Sequence, residues 1–161
     1  MFKTYVRSKI EYASPVWNPF YKSEINFMEK IQKKFTKRIP GMQELSYRDR
    51  LHHLKLDSLE LCRLHADLCM TFKLIHKLVN CDYQQFFRIK NTVTRGHTLT
   101  LVVERVNSNL AKHSFAKRVV KPWNSLPQNV VLAQNYKIFR RRLAKIDLSR
   151  FLKRGDLEVR V

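Results

Sequence analysis

A run of apolar residues between Leu61 and Val79 does most to limit the folds open to this chain. Its members recur at intervals of three and four residues: Leu61, Leu64, Leu68, Phe72, Ile75 and Val79. That spacing places them along one side of an α-helix, which would begin at a cap on Asp57 or Ser58 and run ~30 Å. Charged residues interrupt the stretch, which excludes a transmembrane span. We therefore predict a long central helix that forms the middle of the core.

The remaining sequence also favours helices. The chain has only 3 glycines, so few turns with positive φ are expected, which argues against a many-stranded sheet. Helices are expected over residues 2–13, from an N-cap at Ser23 to just before Pro40, from a capping box at Ser46 and Asp49 to Leu54, around 115–120, and from near Asn135. Asp82 is expected to cap a single turn.

Residues 1–161 are expected to form a single helical domain, since this length suits one core and no linker-like stretch interrupts it. The segment from 91 to 106 is rich in β-branched residues and contains Gly96. It is expected to be a loop, with room for one short β-hairpin near 92–104. The predicted class is mainly α.

The charge balance points to a polyanionic partner. Lys and Arg total 32 against 13 Asp and Glu, a net charge of +19, and nucleic acid is the first candidate for a partner, ahead of an anionic membrane surface. The odd number of cysteines implies no disulfide framework. The N-terminal residues lack the apolar region of a secretory signal. An intracellular location is therefore expected, with no membrane attachment.

The helix predicted to follow Ser23 divides into two faces. Its apolar residues, expected to pack inward, are Ile25, Met28, Ile31, Phe35 and Ile39. The basic residues on the other side are Lys30, Lys33, Lys34, Lys37 and Arg38. A charged helix face is ordinarily just solvated, but such faces alternate in sign, and no acid occurs between Gln32 and Arg38. We predict nucleic-acid contact here, with Phe27, beside the basic face, as a ring on which a base can stack.

Two further helices are expected to contribute basic residues. In the first, Phe115, Val119, Trp123 and Leu126 follow one another at steps of four, four and three and are expected to pack inward, which leaves Lys117, Arg118 and Lys121 for phosphate contacts. Pro122 predicts a kink. The last helix carries an apolar edge and a basic remainder. Its candidate contacts are Arg140, Arg141, Arg142 and Lys145.

The sequence argues against catalysis within this chain. It contains neither a G-x-S-x-G nucleophile elbow nor a G-x-x-x-x-G-K-[ST] phosphate loop, and its carboxylates are too scattered for two-metal chemistry. Cys62, His65, Cys69 and His76 follow one helix edge, but Cys62 and His76 lie ~21 Å apart along it and cannot share an ion. Burial of these cysteines as small apolar residues is the simpler interpretation. We predict no catalytic residue, no metal site and no cofactor.

Several segments, taken in order, also carry a family resemblance. They are YVRSKIEYASPVWNP (5–19), MEKIQKKFTKRIPG (28–41), LSYRDRLHHLKLDSLELCRLHADL (45–68), TFKLIHKLV (71–79), TRGHTLTL (94–101), FAKRVVKPWNSLP (115–127) and the F-x-x-R-L of 139–143. In this order they resemble the region that follows the catalytic palm in reverse transcriptases of non-LTR retrotransposons of the jockey and CR1 type. The resemblance covers nearly the whole chain.

The resemblance implies a thumb and post-polymerase region that grips RNA, DNA or an RNA–DNA hybrid. The palm, with its two Mg²⁺ ions and Asp-Asp motif, should lie upstream of residue 1, and the endonuclease of such elements is not expected here. The palm would be a further partner and the nucleus the working compartment. The alternative is a remnant helical module that binds only protein. The sequence leaves the oligomeric state open.

Overall fold

The structure, a computed structural model, describes residues 2–90 and 97–153. Helices account for 58% of it, and the described residues form no strand. The α-helices are α1 (Ser8–Glu11), α2 (Ser14–Trp17), α3 (Lys22–Lys37), α4 (Tyr47–His53), α5 (Leu59–Ile75), α6 (Asn109–His113), α7 (Phe115–Arg118), α8 (Val120–Asn124), α9 (Gln128–Val131) and α10 (Tyr136–Leu143). A π-helical segment spans Phe2–Arg7, and 3₁₀ turns span Tyr83–Gln85 and Ser149–Phe151. The mainly helical prediction is confirmed.

One isolated antiparallel bridge joins Ile89 to Leu101, and Leu101 lies in the segment expected to allow a hairpin. The Lys90 N–H donates to the Thr100 carbonyl at 2.8 Å, and the Val102 N–H donates to the Arg88 carbonyl at 2.8 Å. Residues 97–104 form no strand, and residues 92–96 of the expected hairpin lie outside the described residues.

Helix α5 is the longest, as predicted, and Ser58 caps it: its hydroxyl accepts the Leu61 N–H at 3.2 Å. The predicted extension to Val79 is wrong, because the backbone at Lys77 turns left-handed with φ of 53°. The Leu78 N–H then reaches the Lys73 carbonyl at 2.8 Å and the Lys77 N–H reaches the Leu74 carbonyl at 3.1 Å. These two bonds form a Schellman motif, which ends the helix.

The scarcity of glycine is a poor guide to the turns. Ala13, Lys55 and Lys77 adopt positive φ without being glycine. Lys55 ends α4 as Lys77 ends α5: the Leu56 N–H donates to the Leu51 carbonyl at 2.9 Å. Satisfying the last carbonyls of each helix offsets the steric cost of the left-handed residue.

The other predicted boundaries were partly correct. The Ser46 cap is confirmed, since its side chain accepts the Asp49 N–H, and Asp82 caps its single turn by accepting the Gln84 N–H. The last helix begins near Asn135, as predicted, and the structure adds that the Asn135 side chain caps it by accepting the Ile138 N–H. The predicted N-cap at Ser23 is wrong: α3 begins at Lys22, and its N-cap is Tyr21. The helix expected over 2–13 has a π-helical first part and ends before Ala13. Short helices α6 and α9 were not predicted.

The helix around Phe115 is divided at Val119 into α7 and α8. Pro122 has no N–H to donate to the carbonyl of Arg118, so the helical ladder loses a bond at this point. The interruption at Val119 lies within one turn of Pro122, where the kink was predicted, and the kink itself stays a prediction.

The chain forms two compact units. Met1–Leu64 with Asp147–Val161 make up the N-terminal unit, and His65–Ile146 make up the central unit. The expectation that residues 1–161 act as a single domain stays a prediction.

A hydrogen-bonded polar cluster lies inside the N-terminal unit. The fully buried Glu29 of α3 accepts the Tyr47 hydroxyl at 2.5 Å, and it accepts the Leu59 N–H at 3.1 Å, which caps the start of α5. Gln32 donates to the Tyr47 hydroxyl at 3.2 Å and to the Asp57 carbonyl at 3.0 Å. Arg50 donates to the Thr36 hydroxyl at 3.2 Å. Buried polar groups are stable only when partnered in this way, so the cluster fixes α3 against α4 and α5.

The core of the central unit is apolar and aromatic. Phe72 of α5 stacks on Phe139 of α10 with ring centroids 4.2 Å apart, and Trp123 lies 6.2 Å from the same ring. Leu68, Val119 and Leu143 are buried with them. The predicted inward positions of Val119, Trp123 and Leu126 are confirmed, while Phe115 is only half-buried.

Candidate nucleic-acid interface

Helix α3 presents its basic residues to solvent. Its buried edge is made of Ile25, Glu29, Gln32 and Thr36, at steps of four, three and four residues. Opposite this edge lie Lys30, Lys34, Lys37 and Arg38, all of them exposed. Lys33 is half-buried, and its ammonium lies 5.1 Å from the centre of the Tyr47 ring. We name the exposed surface formed by Phe27, Lys30, Ile31, Lys34, Lys37 and Arg38 the α3 face.

The apolar side of α3 was predicted to pack inward, and this is wrong for Ile31 and Phe35, while Met28 and Ile39 are half-buried. Ile25 is buried, but Ile31 and Phe35 are each 36% exposed. Phe27 is 66% exposed, as its predicted position beside the basic face requires. The polar cluster explains the difference, because burying Glu29, Gln32 and Thr36 turns the neighbouring apolar residues outward. The sequence signal was present in the spacing of those polar residues, which follow Ile25 at steps of four, three and four.

From Ile25 to Arg38 the cations of the α3 face have no exposed acidic counterpart. Between Ile25 and Arg38 the only acid is Glu29, which is fully buried. Glu24, one residue before this stretch, accepts the Tyr21 N–H at 3.4 Å. The exposed cations of α3 therefore add up to a one-signed field that attracts an anion.

Helix α10 carries the second basic surface. Phe139 and Leu143 are buried, as predicted, and Arg140, Arg141, Arg142 and Lys145 are exposed. Arg142 donates to the Asn129 carbonyl, and the Arg140 guanidinium lies 5.9 Å from the centre of the Tyr136 ring. No acid occurs from Tyr136 to Ile146. We name these four cations the α10 face.

The three candidates near Pro122 differ in what they contact. Arg118 makes a two-pronged ion pair with Asp67, with Nε to Oδ2 at 2.8 Å and Nη2 to Oδ1 at 2.9 Å. Lys117 pairs with Glu104, and its hydrogen bond holds the pKa of that carboxyl below its usual range. Lys121 is exposed. Since a paired cation attracts phosphate less, Lys121 is the strongest phosphate candidate of the three.

Not all of the basic residues lie on the surface. Arg50 and Arg63 are buried in the N-terminal unit, and the Arg63 Nε donates to the Asn18 side chain at 2.9 Å. Burial lowers the pKa of Arg63. Sequence composition alone does not reveal these internal positions.

The cysteine and histidine residues do not assemble into a metal centre. Within residues 2–90 and 97–153, no group of three or more potential ligands is placed to hold an ion. Arg7 donates to the Cys62 sulfur, and Cys69 hydrogen-bonds with Tyr136. His76 lies 3.0 Å from the Val131 carbonyl and stacks on Phe72. Burial raises the pKa of the Cys62 and Cys69 thiols.

These environments predict that the three thiols differ in reactivity. Cys81 is exposed, whereas Cys62 and Cys69 are partly buried with raised pKa values, and only a thiolate reacts rapidly with a disulfide reagent. At pH 8 we expect one thiol per native chain to react with a dinitrobenzoate disulfide, and the other two to react ~10-fold or more slowly. The Cys81→Ser variant should lose the fast phase. A fast phase that persists in that variant contradicts the assignment.

Comparison with protein-family models, with curated proteins and with solved structures gives no match to this chain. Among the residues described, no helix has the length and apolar content needed to cross a membrane.

Proposed function

We propose that this chain binds RNA, DNA or an RNA–DNA hybrid without sequence preference, through phosphate contacts made by the α3 face and the α10 face. The observation that carries the proposal is the segregation of charge. The cations of the two faces are exposed, and the one acid from Ile25 to Arg38 is buried and hydrogen-bonded. A polyphosphate supplies the negative charge that these faces lack.

Contacts of this kind give affinity without reading sequence. Lys30, Lys34 and Lys145 end in flexible ammonium groups, which interact with phosphate as point charges. Phosphate contacts carry no direct sequence information. The binding they support is sequence-independent and strongly dependent on salt.

The family resemblance supports a proposal for the kind of enzyme in which this binding takes place. We propose that the chain is the non-catalytic thumb and post-polymerase region of a jockey-like or CR1-like reverse transcriptase, which works in the nucleus. The missing palm would hold Mg²⁺ and perform RNA-directed DNA synthesis, while this chain holds template and primer. The support is the ordered set of segments from residue 5 to residue 143.

Charge reversal on the α3 face tests the proposal. In the Lys30→Glu, Lys34→Glu, Arg38→Glu triple variant we expect the log–log slope of affinity against salt to shrink by about 2 to 3, because each lost phosphate contact removes ~0.7 to ~0.9. Fluorescence anisotropy with a labelled RNA–DNA hybrid between 50 and 300 mM NaCl measures the slope.

A matched triple variant separates contact from total charge. Lys9, Lys90 and Lys112 are exposed lysines outside both faces, and reversing all three changes the net charge by the same amount. We expect this control to keep most of the slope. An equal loss in both triple variants, or no binding by the unaltered protein at low salt, would falsify the proposed interface.

A protein-binding module is the second candidate, and a specific observation favours it. Tyr12 and Val16 are 78% and 86% exposed, an unusual degree for apolar side chains close together in sequence. If protein contact is the only role, reversing the charges of the α3 face will leave nucleic-acid binding unchanged. The missing palm is one protein that such a surface would meet.

A further inference from the structure

We infer that the α3 face recognises an unpaired RNA or DNA strand, with a base stacked on the Phe27 ring and the strand's phosphates on Lys30, Lys34 and Arg38. This inference depends on the proposed function and narrows its ligand from any polyphosphate to one with accessible bases. All residues of the α3 face belong to the N-terminal unit.

The arrangement of residues around α3 brings the ring and the cations together. At ~100° per residue, the buried residues Ile25, Glu29, Gln32 and Thr36 fall on one side. Phe27, Lys34 and Arg38 fall directly opposite, and Lys30 and Ile31 flank them. Phe27 therefore lies at the N-terminal end of the α3 face, and Lys30, Lys34 and Arg38 follow it along the same side of the helix. An exposed ring next to a row of cations is the combination that single-strand binders use.

The exposure of the ring indicates unpaired rather than paired bases. Phe27 is 66% exposed, so the flat side of a base can lie against it. In a duplex those flat sides are stacked on each other, and only base edges and phosphates are accessible. A ring on a convex helix gains little from a closed duplex, whereas an unpaired base of any type can stack on it.

The spacing along α3 suits successive nucleotides. Phe27 and Ile31 are four residues apart, a rise of ~6 Å, whereas stacked bases are ~3.4 Å apart. The two side chains can thus contact different bases of one strand. Lys30 and Lys34 share the same four-residue interval, so the phosphates of that strand can follow the ring and the isoleucine.

Charge complementarity favours nucleic acid over a protein partner at this surface. Exposed cations alternate with the exposed apolar residues along α3, and no exposed acid lies between Ile25 and Arg38. The exposed acid one turn before Phe27, Glu24, accepts the Tyr21 N–H. Interfaces between proteins instead have cores depleted of charge. A strand that supplies phosphates and flat apolar bases together satisfies both kinds of side chain.

The test measures how tightly the full chain binds three nucleic-acid probes of nearly equal charge. The probes are a 20-nucleotide oligo(U), a 20-nucleotide oligo(dT) and a blunt 10-base-pair duplex, each at 50 mM NaCl. We expect Phe27→Ala to weaken binding of both single strands by ~5-fold to ~150-fold, the effect of removing one base–aromatic stack. The same substitution should change the affinity for the duplex by less than about 2-fold, because the phosphate contacts remain.

Matched variants isolate the ring. Phe27→Trp should keep single-strand affinity, Phe27→Leu should lose it, and Tyr12→Ala, at a ring that is 78% exposed outside α3, should change nothing. An equal effect of Phe27→Ala on all three probes, or none on any, overturns the inference while leaving the proposed function intact. Failure of the unaltered protein to bind any probe overturns both.

Discussion

Replacing Asp67 with alanine is expected to lower the free energy of unfolding by ~3 to ~5 kcal/mol. The Asp67 side chain is 2% exposed, and that of its partner Arg118 is 17% exposed. Removing the carboxylate leaves a guanidinium without its ion pair in a poorly solvated place, which costs more than the intact pair contributes. A typical domain has a free energy of unfolding of ~5 to ~15 kcal/mol, so the substitution removes a large share of it. Urea denaturation followed by circular dichroism measures it.

Two further variants identify the cause of the Asp67 effect. In the Asp67→Leu, Arg118→Met double variant both charges are gone, and we expect much of the stability to return because apolar residues of similar size replace the pair. Lys117→Ala removes the neighbouring ion pair to Glu104, whose side chain is 40% exposed, and should cost far less than Asp67→Ala, because solvent-exposed ion pairs contribute little to stability. A loss below ~1 kcal/mol in Asp67→Ala means that the pair is not buried as described.

The second large effect is expected for Trp123→Ala, a loss of ~3 to ~5 kcal/mol. The side chain is fully buried, and its Nε1 donates to the Leu99 carbonyl at 2.9 Å. Removing it opens a cavity beside Phe139 and leaves that carbonyl without its donor. For a chain of this size the midpoint of thermal unfolding should fall by ~6 to ~20 °C. Differential scanning calorimetry measures the change.

The chain contains a matched control for this substitution. Trp17 is 40% exposed, and its Nε1 donates to the Tyr12 carbonyl at 2.6 Å. Trp17→Ala should cost less than half as much, because less apolar surface leaves a buried environment. In that variant the remaining fluorescence comes from Trp123 and should be blue-shifted. Equal losses in the two alanine variants contradict the core position of Trp123.

The sequence predicted the features that depend on local chemistry. Caps at Ser46 and Ser58 are set by side chains within three residues of the groups they bind, and the interruption of the helix at Val119 lies next to the N–H that is missing at Pro122. The inward position of Trp123 followed from the apolar spacing around it. In each case the residues that decide the outcome are neighbours in the sequence.

Features that depend on distant partners were not predictable in this way. The outward position of Ile31 depends on Glu29, which is buried because it binds Tyr47 and Leu59. The pairing of Arg118 with Asp67 joins residues 51 positions apart. For the candidate interface, the sequence identified the basic residues of α3 and α10, but it did not show which cations have acidic partners.

The polar cluster under α3 also determines how firmly the helix is set about its own axis. An apolar stripe tolerates small rotations, because one methyl group replaces another at little cost. Rotating α3 instead withdraws the Glu29 carboxylate from the Tyr47 hydroxyl and the Leu59 N–H, and a buried carboxylate without donors is strongly unfavourable. The polar cluster therefore fixes the rotation of α3 about its axis, and with it the side of the helix from which Phe27 and Lys34 extend into solvent.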